Sequence, residues 1–352
     1  MSTLPEKTFS LGDLLTWRRD GDAARPVAPA DRQHVFSTVT HSSLPDGSPP
    51  MQPGGLFIAI KARRDGHDFV ADAFRNGARA ALVSRVPPDV DHSKLVRVDD
   101  TVAALQGVAR WWRRQHPARV VALTGSVGKT TTKDLLAHIL ERSGAVLATR
   151  GNLNNEYGLP FMLLELTPSI HSAVLEIGIS AVGEMETFAG IAQADVGIVT
   201  RVAPAHLEFF GDVDTVEREK GRLVEGLPAQ GLAVLNADDP RVIRMRDRTR
   251  ARVVTYGLSP EADVRAERIE LLGFDGVRFD LLHRGACVAV TLPLTGGHFV
   301  TCALAAATAA LEEGATLDSV KHGLERPLAN RRLEPLTLPG GVTLLDDTYN
   351  AS

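Results

Sequence analysis

Cysteine is scarce in this sequence, which contains only Cys287 and Cys302 among its 352 residues. Two thiols cannot build a disulfide framework or a cysteine-based zinc site, and such a composition fits a reducing cytoplasm. A basic excess is also missing, since 39 Lys and Arg residues against 43 Asp and Glu residues give a net charge of −4. A protein of this charge has no positive field to attract nucleic acid or an anionic membrane. We therefore expect no nucleic-acid partner.

Long apolar runs are absent as well. No segment approaches the ~20 apolar residues of a membrane-spanning helix, and charged residues interrupt residues 1–15, where a signal peptide would have its apolar stretch. We expect a cytoplasmic monomer without membrane insertion. Lysine is rare too, with seven residues among the 39 basic ones, so each lysine is a candidate for a role that arginine cannot fill.

The remaining composition is that of a folded protein with a sizeable core. Hydrophobic residues make up 44% and charged residues 23%, and at about 150 residues per domain this length predicts two to three domains. The first, 1–117, is predicted to be a small α/β unit with strands at 55–60 and 78–84. A helix that ends at His116-Pro117 marks its boundary.

From Ala118 onwards, strand and helix patterns alternate, which predicts a mostly parallel, doubly wound sheet in a second domain, 118–328. Ligands of such sheets bind at the carboxyl ends of the strands. The strand-like alternation of apolar and polar residues over 263–295 predicts an antiparallel extension of the sheet. An Ala-rich helix is predicted to follow at 298–313. A Pro-Gly-Gly turn between two short strands predicts a hairpin in 329–352. We expect this hairpin to begin a third domain whose remainder lies outside the sequence.

The segment V-V-A-L-T-G-S-V-G-K-T-T-T, 120–132, has the pattern of a phosphate-binding loop between a strand and a helix. Glycines let the loop turn its amides inward, Lys129 reaches the β- and γ-phosphates, and Thr130 can hold Mg²⁺. Leu123 replaces the first glycine of the general pattern. The residues predicted to bind ATP here are Gly125, Ser126, Val127, Gly128, Lys129, Thr130 and Thr131.

Three further residues have side chains suited to phosphate and metal chemistry. Glu176 ends an apolar run. A carboxylate at such a strand end beside a phosphate loop is a natural Mg²⁺ ligand, but Glu176 could equally be a solvated carboxylate in a loop. His206 follows a strand, although a lone histidine is more often structural. Lys220 would ordinarily be a solvated helix lysine. The three gain weight only together.

The phosphate loop and four further runs resemble the Mur ligases. These runs are G-N-L-N-N-E-Y-G-L-P (151–160), E-I-G (176–178), A-H-L-E-F-F-G (205–211) with K-G (220–221), and L-N-A-D-D-P (235–240). Within the family, the first run is most particular to the members that add D-alanyl-D-alanine to UDP-N-acetylmuramoyl-tripeptide in peptidoglycan synthesis. The resemblance covers the chain from about residue 36 to its end.

The resemblance implies an α/β architecture with an N-terminal UDP-binding domain, a central ATP-binding domain and a Rossmann-like C-terminal domain that is only begun here. It implies ATP-dependent amide ligation through an acyl phosphate, as part of the cell-wall synthesis that underlies cell shape and division, with ATP, two Mg²⁺ ions, UDP-N-acetylmuramoyl-tripeptide and D-alanyl-D-alanine as cofactors and substrates.

The resemblance also implies residue roles. Lys129 would stabilise phosphate charge, Thr130 and Glu176 would hold one Mg²⁺, and His206 would bind the second with a carbamylated Lys220. The other implied positions are Ser42 for the UDP substrate, Asn154 and Asn155 near phosphates and metal, Asn236 near the base or ribose, and Arg332, Asp346 and Asn350 near ATP.

The sequence departs from the family at positions used for uridine and adenine contacts. His41 and Ser43 flank Ser42 where the family has D-S-R, and Phe299 and Cys302 replace two asparagines. Likewise, Arg201 stands where asparagine is usual.

Two alternatives stay open. One is another amide ligase of the superfamily, such as a diaminopimelate- or lysine-adding enzyme or a folylpolyglutamate synthetase, against which the G-N-L-N-N-E run argues. The other is a catalytically impaired nucleotide-binding homologue that acts as a scaffold, against which the retained phosphate and metal residues argue.

Overall fold

The computed structural model describes residues 9–10, 35–36, 39–40, 53–62, 64–205, 207–328, 334–337 and 342–346. Contacts between residues divide the chain into two units. The first is Met1–Pro117 with Asn155–Ser169, and the second is Ala118–Asn154 with Ile170–Ser352. Residues 155–169 thus group with the first unit, which the sequence did not indicate, and the division into three domains stays a prediction.

The strands of the described residues are β1 (Phe9–Ser10), β2 (Val35–Phe36), β3 (Val39–Thr40), β4 (Leu56–Ile58), β5 (Ala80–Val83), β6 (Leu95–Arg97), β7 (Arg119–Thr124), β8 (Ala145–Ala148), β9 (Ile170–Glu176), β10 (Val196–Val199), β11 (Leu232–Asn236), β12 (Arg252–Gly257), β13 (Val264–Leu271), β14 (Val277–His283), β15 (Ala286–Leu292), β16 (Glu334–Thr337) and β17 (Thr343–Asp346).

The α-helices of the same residues are α1 (Val70–Arg75), α2 (Thr101–Arg114), α3 (Lys129–Leu140), α4 (Gly158–Leu163), α5 (Glu184–Ala192), α6 (Leu207–Phe210), α7 (Val213–Glu225), α8 (Pro240–Ile243), α9 (Phe299–Glu312) and α10 (Leu317–Leu324). None of them is long and apolar enough to cross a membrane, as far as the described residues go.

The first unit contains a four-stranded sheet in the order β3-β4-β5-β6, in which all neighbours are parallel. Its core is formed by apolar side chains of the strands and of α1, including Phe57, Val70 and Leu95. The segment 155–169 packs on α2, where Trp112 Nε1 donates a hydrogen bond to the Leu166 carbonyl at 3.1 Å. The predicted small α/β fold is confirmed.

The second unit is built on a nine-stranded sheet in the order β15-β14-β13-β12-β11-β10-β7-β9-β8. Neighbours from β8 to β13 are parallel, whereas β14 and β15 pair antiparallel. This confirms the predicted parallel sheet and its antiparallel extension. The chain places β8 and β9 on one side of β7 and β10 to β13 on the other, and such a reversal is where open α/β sheets bind ligands.

The Ala-rich helix α9 is the most buried helix of the second unit. Its small side chains, such as Ala303, Ala306 and Ala310, have no exposed surface, which lets the helix pack closely on α3 and on the sheet. The core around it includes Val121, Ile198 and many residues of β12 to β15. Farther along the chain, β16 and β17 pair antiparallel with Glu334 opposite Asp346, as the sequence predicted.

Candidate functional site

The loop between β7 and α3 requires glycine at two positions. Gly125 has φ +154° and Gly128 has φ +83°, and Gly128 immediately precedes the first turn of α3. A Cβ atom on Gly125 would lie 1.9 Å from Thr200 Oγ1, which no side chain can tolerate. The loop thus takes a backbone path that only these glycines permit, and it leads into the N-terminus of a helix, which attracts anions.

Hydrogen bonds attach this loop to the segment that follows β10. Ser126 N donates to the Arg201 carbonyl at 2.7 Å, and Ser126 Oγ donates to the Ala203 carbonyl at 2.9 Å. Thr200 Oγ1 donates to the Val127 carbonyl at 2.6 Å. These three hydrogen bonds to the segment after β10 therefore hold the loop in this conformation.

Lys129 begins α3 and lies against the loop, where its Nζ donates to the Gly125 carbonyl at 2.9 Å. The next residue, Thr130, donates from Oγ1 to Glu176 Oε2 at 2.9 Å. Thr131 is buried. Lys129 therefore provides a cation and Thr130 a hydroxyl at the end of the sheet where the loop begins.

Glu176 is the last residue of β9 and is only 4% exposed. Its Oε1 accepts a hydrogen bond from Asn154 Nδ2 at 2.9 Å, and Oε2 accepts the bond from Thr130. Both donors are neutral, and no cation among the described residues pairs with this carboxylate. A buried carboxylate next to a hydroxyl supplies the oxygen ligands that Mg²⁺ prefers. The site fits the metal, and burial excludes the alternative of a solvated loop residue.

Lys220 lies on α7 and is 4% exposed, which contradicts the ordinary expectation of a solvated helix lysine. Burial and, to a smaller extent, the nearby Lys129 cation lower the pKa of its amino group from 10.5 to about 7. A lysine of this kind is available as a neutral amine near physiological pH.

Comparison with known proteins agrees with this geometry. The sequence model of the Mur ligase middle domain matches residues 123–310. The chain is also 41% identical over 319 residues to the UDP-N-acetylmuramoyl-tripeptide--D-alanyl-D-alanine ligase of Escherichia coli (strain K12), covering 89% of this chain and 70% of that one.

The chain belongs to the Mur ligase family.

Solved structures agree with this membership. MurF from Acinetobacter baumannii superimposes with a TM-score of 0.89 at 32% identity, covering 99% of this chain and 75% of that one. MurF from Thermotoga maritima, in complex with ADP, has a TM-score of 0.79 at 28% identity, covering 90% and 71%. The Mur ligase fold expected from the motifs is thereby confirmed.

In this Mur ligase chain, Asn236 contacts its own protein backbone. Its Nδ2 donates to the Thr200 carbonyl at 2.9 Å, and its Oδ1 accepts from Asp238 N at 2.9 Å. The side chain is 6% exposed. The expected contact with the base or ribose stays a prediction, whereas the contact with Thr200 is a feature of the folded chain.

Asn154 and Asn155, adjacent in sequence, fall in different units. Asn154 donates to Glu176, as described above. Asn155 belongs to the first unit, where its Oδ1 accepts from Gly158 N at 2.9 Å at the start of α4. Only Asn154 is therefore brought to the predicted metal ligand by contacts within the second unit.

The two residues that replace family asparagines, Phe299 and Cys302, are both buried. Cys302 Sγ lies 3.0 Å from the position of a Cβ on Gly128, and burial raises the pKa of this thiol to about 11. Phe299 is 5% exposed, and its ring lies at 40° to the His298 ring with 4.1 Å between the centroids. The thiol is uncharged at neutral pH and acts as packing behind the loop.

Several predicted positions lie outside the described residues, namely Ser42, His206, Arg332 and Asn350, together with His41 and Ser43. Asp346 is the last residue of β17. Within the described ranges, which exclude His206, no group of three or more His, Cys, Asp or Glu side chains is close enough to hold a metal. The second metal site therefore stays a prediction.

Sequence reasoning missed two threonines of the site. Thr149 Oγ1 accepts from Glu176 N at 2.9 Å, and Thr200 contacts the phosphate loop. A signal for Thr200 was present, because it follows the apolar run of β10 just as Glu176 ends the run of β9. The pattern that makes Glu176 a candidate, a polar residue at the carboxyl end of a parallel strand, therefore applies to Thr200 as well.

Proposed function

We propose that this chain acts in peptidoglycan precursor synthesis as the ligase that adds D-alanyl-D-alanine to UDP-N-acetylmuramoyl-tripeptide at the expense of ATP. The observation that carries the proposal is the meeting of Lys129, Thr130 and Glu176 beside the phosphate loop. The relative of that name in Escherichia coli supports it, since the identity of 41% extends over 89% of this chain.

ATP and Mg²⁺ are the cofactors that this site suits. The loop and the N-terminus of α3 would bind the phosphates, and Lys129 would balance their charge. Thr130 and Glu176 would hold one Mg²⁺, which when bound supplies positive charge to the phosphates. The ADP bound to MurF from Thermotoga maritima supports nucleotide binding by a similar fold.

The proposed reaction has two steps. The terminal carboxylate of the tripeptide attacks the γ-phosphorus of ATP, a new O–P bond forms, and the bond to the leaving ADP breaks. The amine of D-alanyl-D-alanine then attacks the acyl carbon, phosphate leaves, and the amine loses a proton. Two anions must approach each other in the first step, so charge balance by Lys129 is the main requirement on the protein.

We also propose that Lys220 is carbamylated and, with His206, holds a second Mg²⁺. A neutral, buried amine can add CO₂ and lose a proton, which converts a cation into a carboxylate-like ligand. Arginine cannot undergo this change, which agrees with the retention of lysine in a lysine-poor sequence. ATP and the UDP-linked substrate are cytoplasmic compounds, so we propose that the reaction takes place in the cytoplasm. We further propose that the protein acts as a monomer.

Release of inorganic phosphate tests the proposal. With ATP, Mg²⁺, UDP-N-acetylmuramoyl-tripeptide and D-alanyl-D-alanine, the protein is expected to release phosphate only when the tripeptide is present, and mass spectrometry should find the extended peptide. Lys129→Ala should reduce the rate by at least about 100-fold, since it removes charge stabilisation at the transition state. Lys94→Ala, a change in the first unit at a lysine that pairs with Asp91, is the matched control.

Three outcomes would contradict the proposal. Phosphate release that is the same in Lys129→Ala would show that the loop is not the reaction site. Nucleotide binding without any tripeptide-dependent release would favour the scaffold alternative, and release with a different amino acid or dipeptide would favour another ligase of the superfamily.

A further inference from the structure

Thr200 lies against the phosphate loop, at the carboxyl end of β10, and is 6% exposed. Its backbone N donates to the Thr124 carbonyl at 2.9 Å, which fixes it next to the last residue of β7. Its hydroxyl donates to the Val127 carbonyl at 2.6 Å. A buried side chain of a neighbouring strand thus reaches into the loop and bonds the backbone there.

This bond determines which way one peptide plane of the loop faces. In a trans peptide the N–H of a residue points away from the carbonyl that precedes it. Because the Val127 carbonyl is held toward Thr200, the N–H of Gly128 faces away from β10. Amides that bind phosphate must face the open side of the loop, and Gly128 can adopt the required φ of +83° because it is glycine.

The neighbouring glycines are matched to Thr200. A Cβ on Gly125 would collide with Thr200 Oγ1 at 1.9 Å, and a Cβ on Gly128 would lie between Cys302 Sγ and Thr200 Cβ, at 3.0 and 3.9 Å. The loop backbone therefore packs directly against the Thr200 side chain, and this contact restricts the path of the loop.

Thr200 is itself held by two buried donors. Its carbonyl accepts from Asn236 Nδ2 at 2.9 Å, and Tyr256 OH lies 3.2 Å from the same carbonyl and 3.3 Å from that of Val199. Tyr256 is 1% exposed, and burial raises the pKa of its phenol well above the usual value, so the hydroxyl stays protonated and remains a donor. Asn236 of β11 and Tyr256 of β12 thus hold Thr200, and Thr200 in turn holds the loop.

We propose that Thr200 and Tyr256 are positioning residues for nucleotide binding: Thr200 holds the Val127–Gly128 peptide with its amide toward the phosphates, and Tyr256 holds Thr200. Neither side chain touches the nucleotide. This inference rests on the proposed use of ATP, and it deepens that proposal by assigning the preorganisation of the loop to residues outside it.

Thr200→Val is the sharpest test, because valine has nearly the shape of threonine but carries a methyl group, which cannot donate a hydrogen bond, in place of the hydroxyl. Affinity for the probe N-methylanthraniloyl-ATP with Mg²⁺ is measured by fluorescence titration, beside the thermal midpoint of each variant. We expect binding about tenfold weaker for Thr200→Val, equal to about 1.4 kcal/mol, and about threefold weaker for Tyr256→Phe. Thr200→Ser keeps the hydroxyl and should bind as the unaltered protein does.

Thr308→Val is the matched control. Thr308 is fully buried in α9, and its hydroxyl donates to the Leu304 carbonyl at 2.7 Å, away from the loop. It should lower the thermal midpoint about as much as Thr200→Val and leave nucleotide affinity unchanged. A general effect of losing one buried hydroxyl would instead weaken binding in both variants, and the inference would then be wrong.

The remaining outcomes separate this inference from the proposed function. If the unaltered protein binds the probe and Thr200→Val binds it within twofold, the positioning role is refuted and ATP use stands. If the unaltered protein does not bind the probe, the proposed function fails first. If Thr200→Val does not fold, as judged by circular dichroism, Tyr256→Phe decides the question, and unchanged affinity in that variant refutes the role.

Discussion

Lys220 differs from the other described lysines in how its amino group is accommodated. Lys133 is also buried, but its Nζ donates to the Thr149 carbonyl at 2.8 Å and pairs with Asp134 at 2.8 Å. For Lys220, burial and the charge of the nearby Lys129 lower the pKa of the amino group to about 7. At the scale of the residue, the fold gives one buried lysine a hydrogen bond and an ion pair, and it lowers the pKa of the other.

We expect Lys220 to carry a carbamate when the protein is kept in ¹³C-bicarbonate at pH 8. The amine is mostly neutral above its pKa of about 7, so the modification should be present at pH 8 and decline below pH 7. Carbon NMR should show one carbamate signal in the unaltered protein and none in Lys220→Arg. Lys133→Arg should keep the signal, and a signal that survives in Lys220→Arg would contradict the assignment.

Short turns at strand ends are the elements that form the polar sites of both units. In the first unit, the turn after β4 is closed by Asp65, whose Oδ1 accepts from His67 N at 3.0 Å and pairs with His67 Nδ1 at 2.7 Å. His67 Nε2 in turn accepts from Ser84 N at 2.9 Å, beside the end of β5. Arg85 pairs with Asp65 Oδ2 at 3.1 Å. Two adjacent strand ends are thereby joined through one histidine.

This turn predicts a pH dependence of the stability of the first unit. Burial raises the pKa of Asp65, but the hydrogen bonds from His67 and Arg85 outweigh it, and the pKa falls from 3.8 to about 2. Since the folded value is below the unfolded one, the carboxylate stabilises the fold above pH 4, and this contribution is lost as the pH falls from 4 to 2.

Urea unfolding between pH 3 and pH 6, followed by the fluorescence of Trp111 and Trp112 of the first unit, measures this contribution. Asp65→Asn should be less stable at pH 6 and show a smaller loss of stability toward pH 3 than the unaltered protein. Asp68→Asn, which removes a more exposed partner of Arg85, is the control and should change little. An acid dependence that is unaltered in Asp65→Asn would refute the role of this carboxylate.

At the scale of the whole molecule, each unit has a buried core of its own. The core of the first unit includes Phe57 and Leu95, and the core of the second extends from Val121 to Leu328. Hydrophobic burial is the main favourable term in folding, so each unit contains the residues that stabilise its own fold.

Removing a buried side chain should therefore weaken mainly the unit that contains it. Leu95→Ala and Leu281→Ala, at sites 1% and 0% exposed, are each expected to cost about 2–5 kcal/mol. Hydrogen–deuterium exchange read by mass spectrometry should rise most in the first unit for Leu95→Ala and in the second for Leu281→Ala. An equal rise throughout the chain in both variants would show that the two cores unfold as one.

Local sequence patterns determined much of this protein. The phosphate loop, the helix after it, the parallel sheet, its antiparallel extension and the final hairpin were all predicted, because glycines, strand periodicity and turn residues act on neighbours in the chain. Several strands were not predicted, among them β6, β8 and β12, since an apolar run of a few residues does not distinguish a strand from part of a buried helix.

Only the tertiary structure decided which residues meet. The order of strands places β9 and β10 on either side of β7, and this brings Glu176 and Thr200 to the loop although the sequence separates them from it. Packing of α7 buried Lys220, and the contacts of residues 155–169 assigned them to the first unit. The physical reason is that local patterns fix backbone conformation and the face to be buried, whereas contacts between distant residues depend on how all elements share one core.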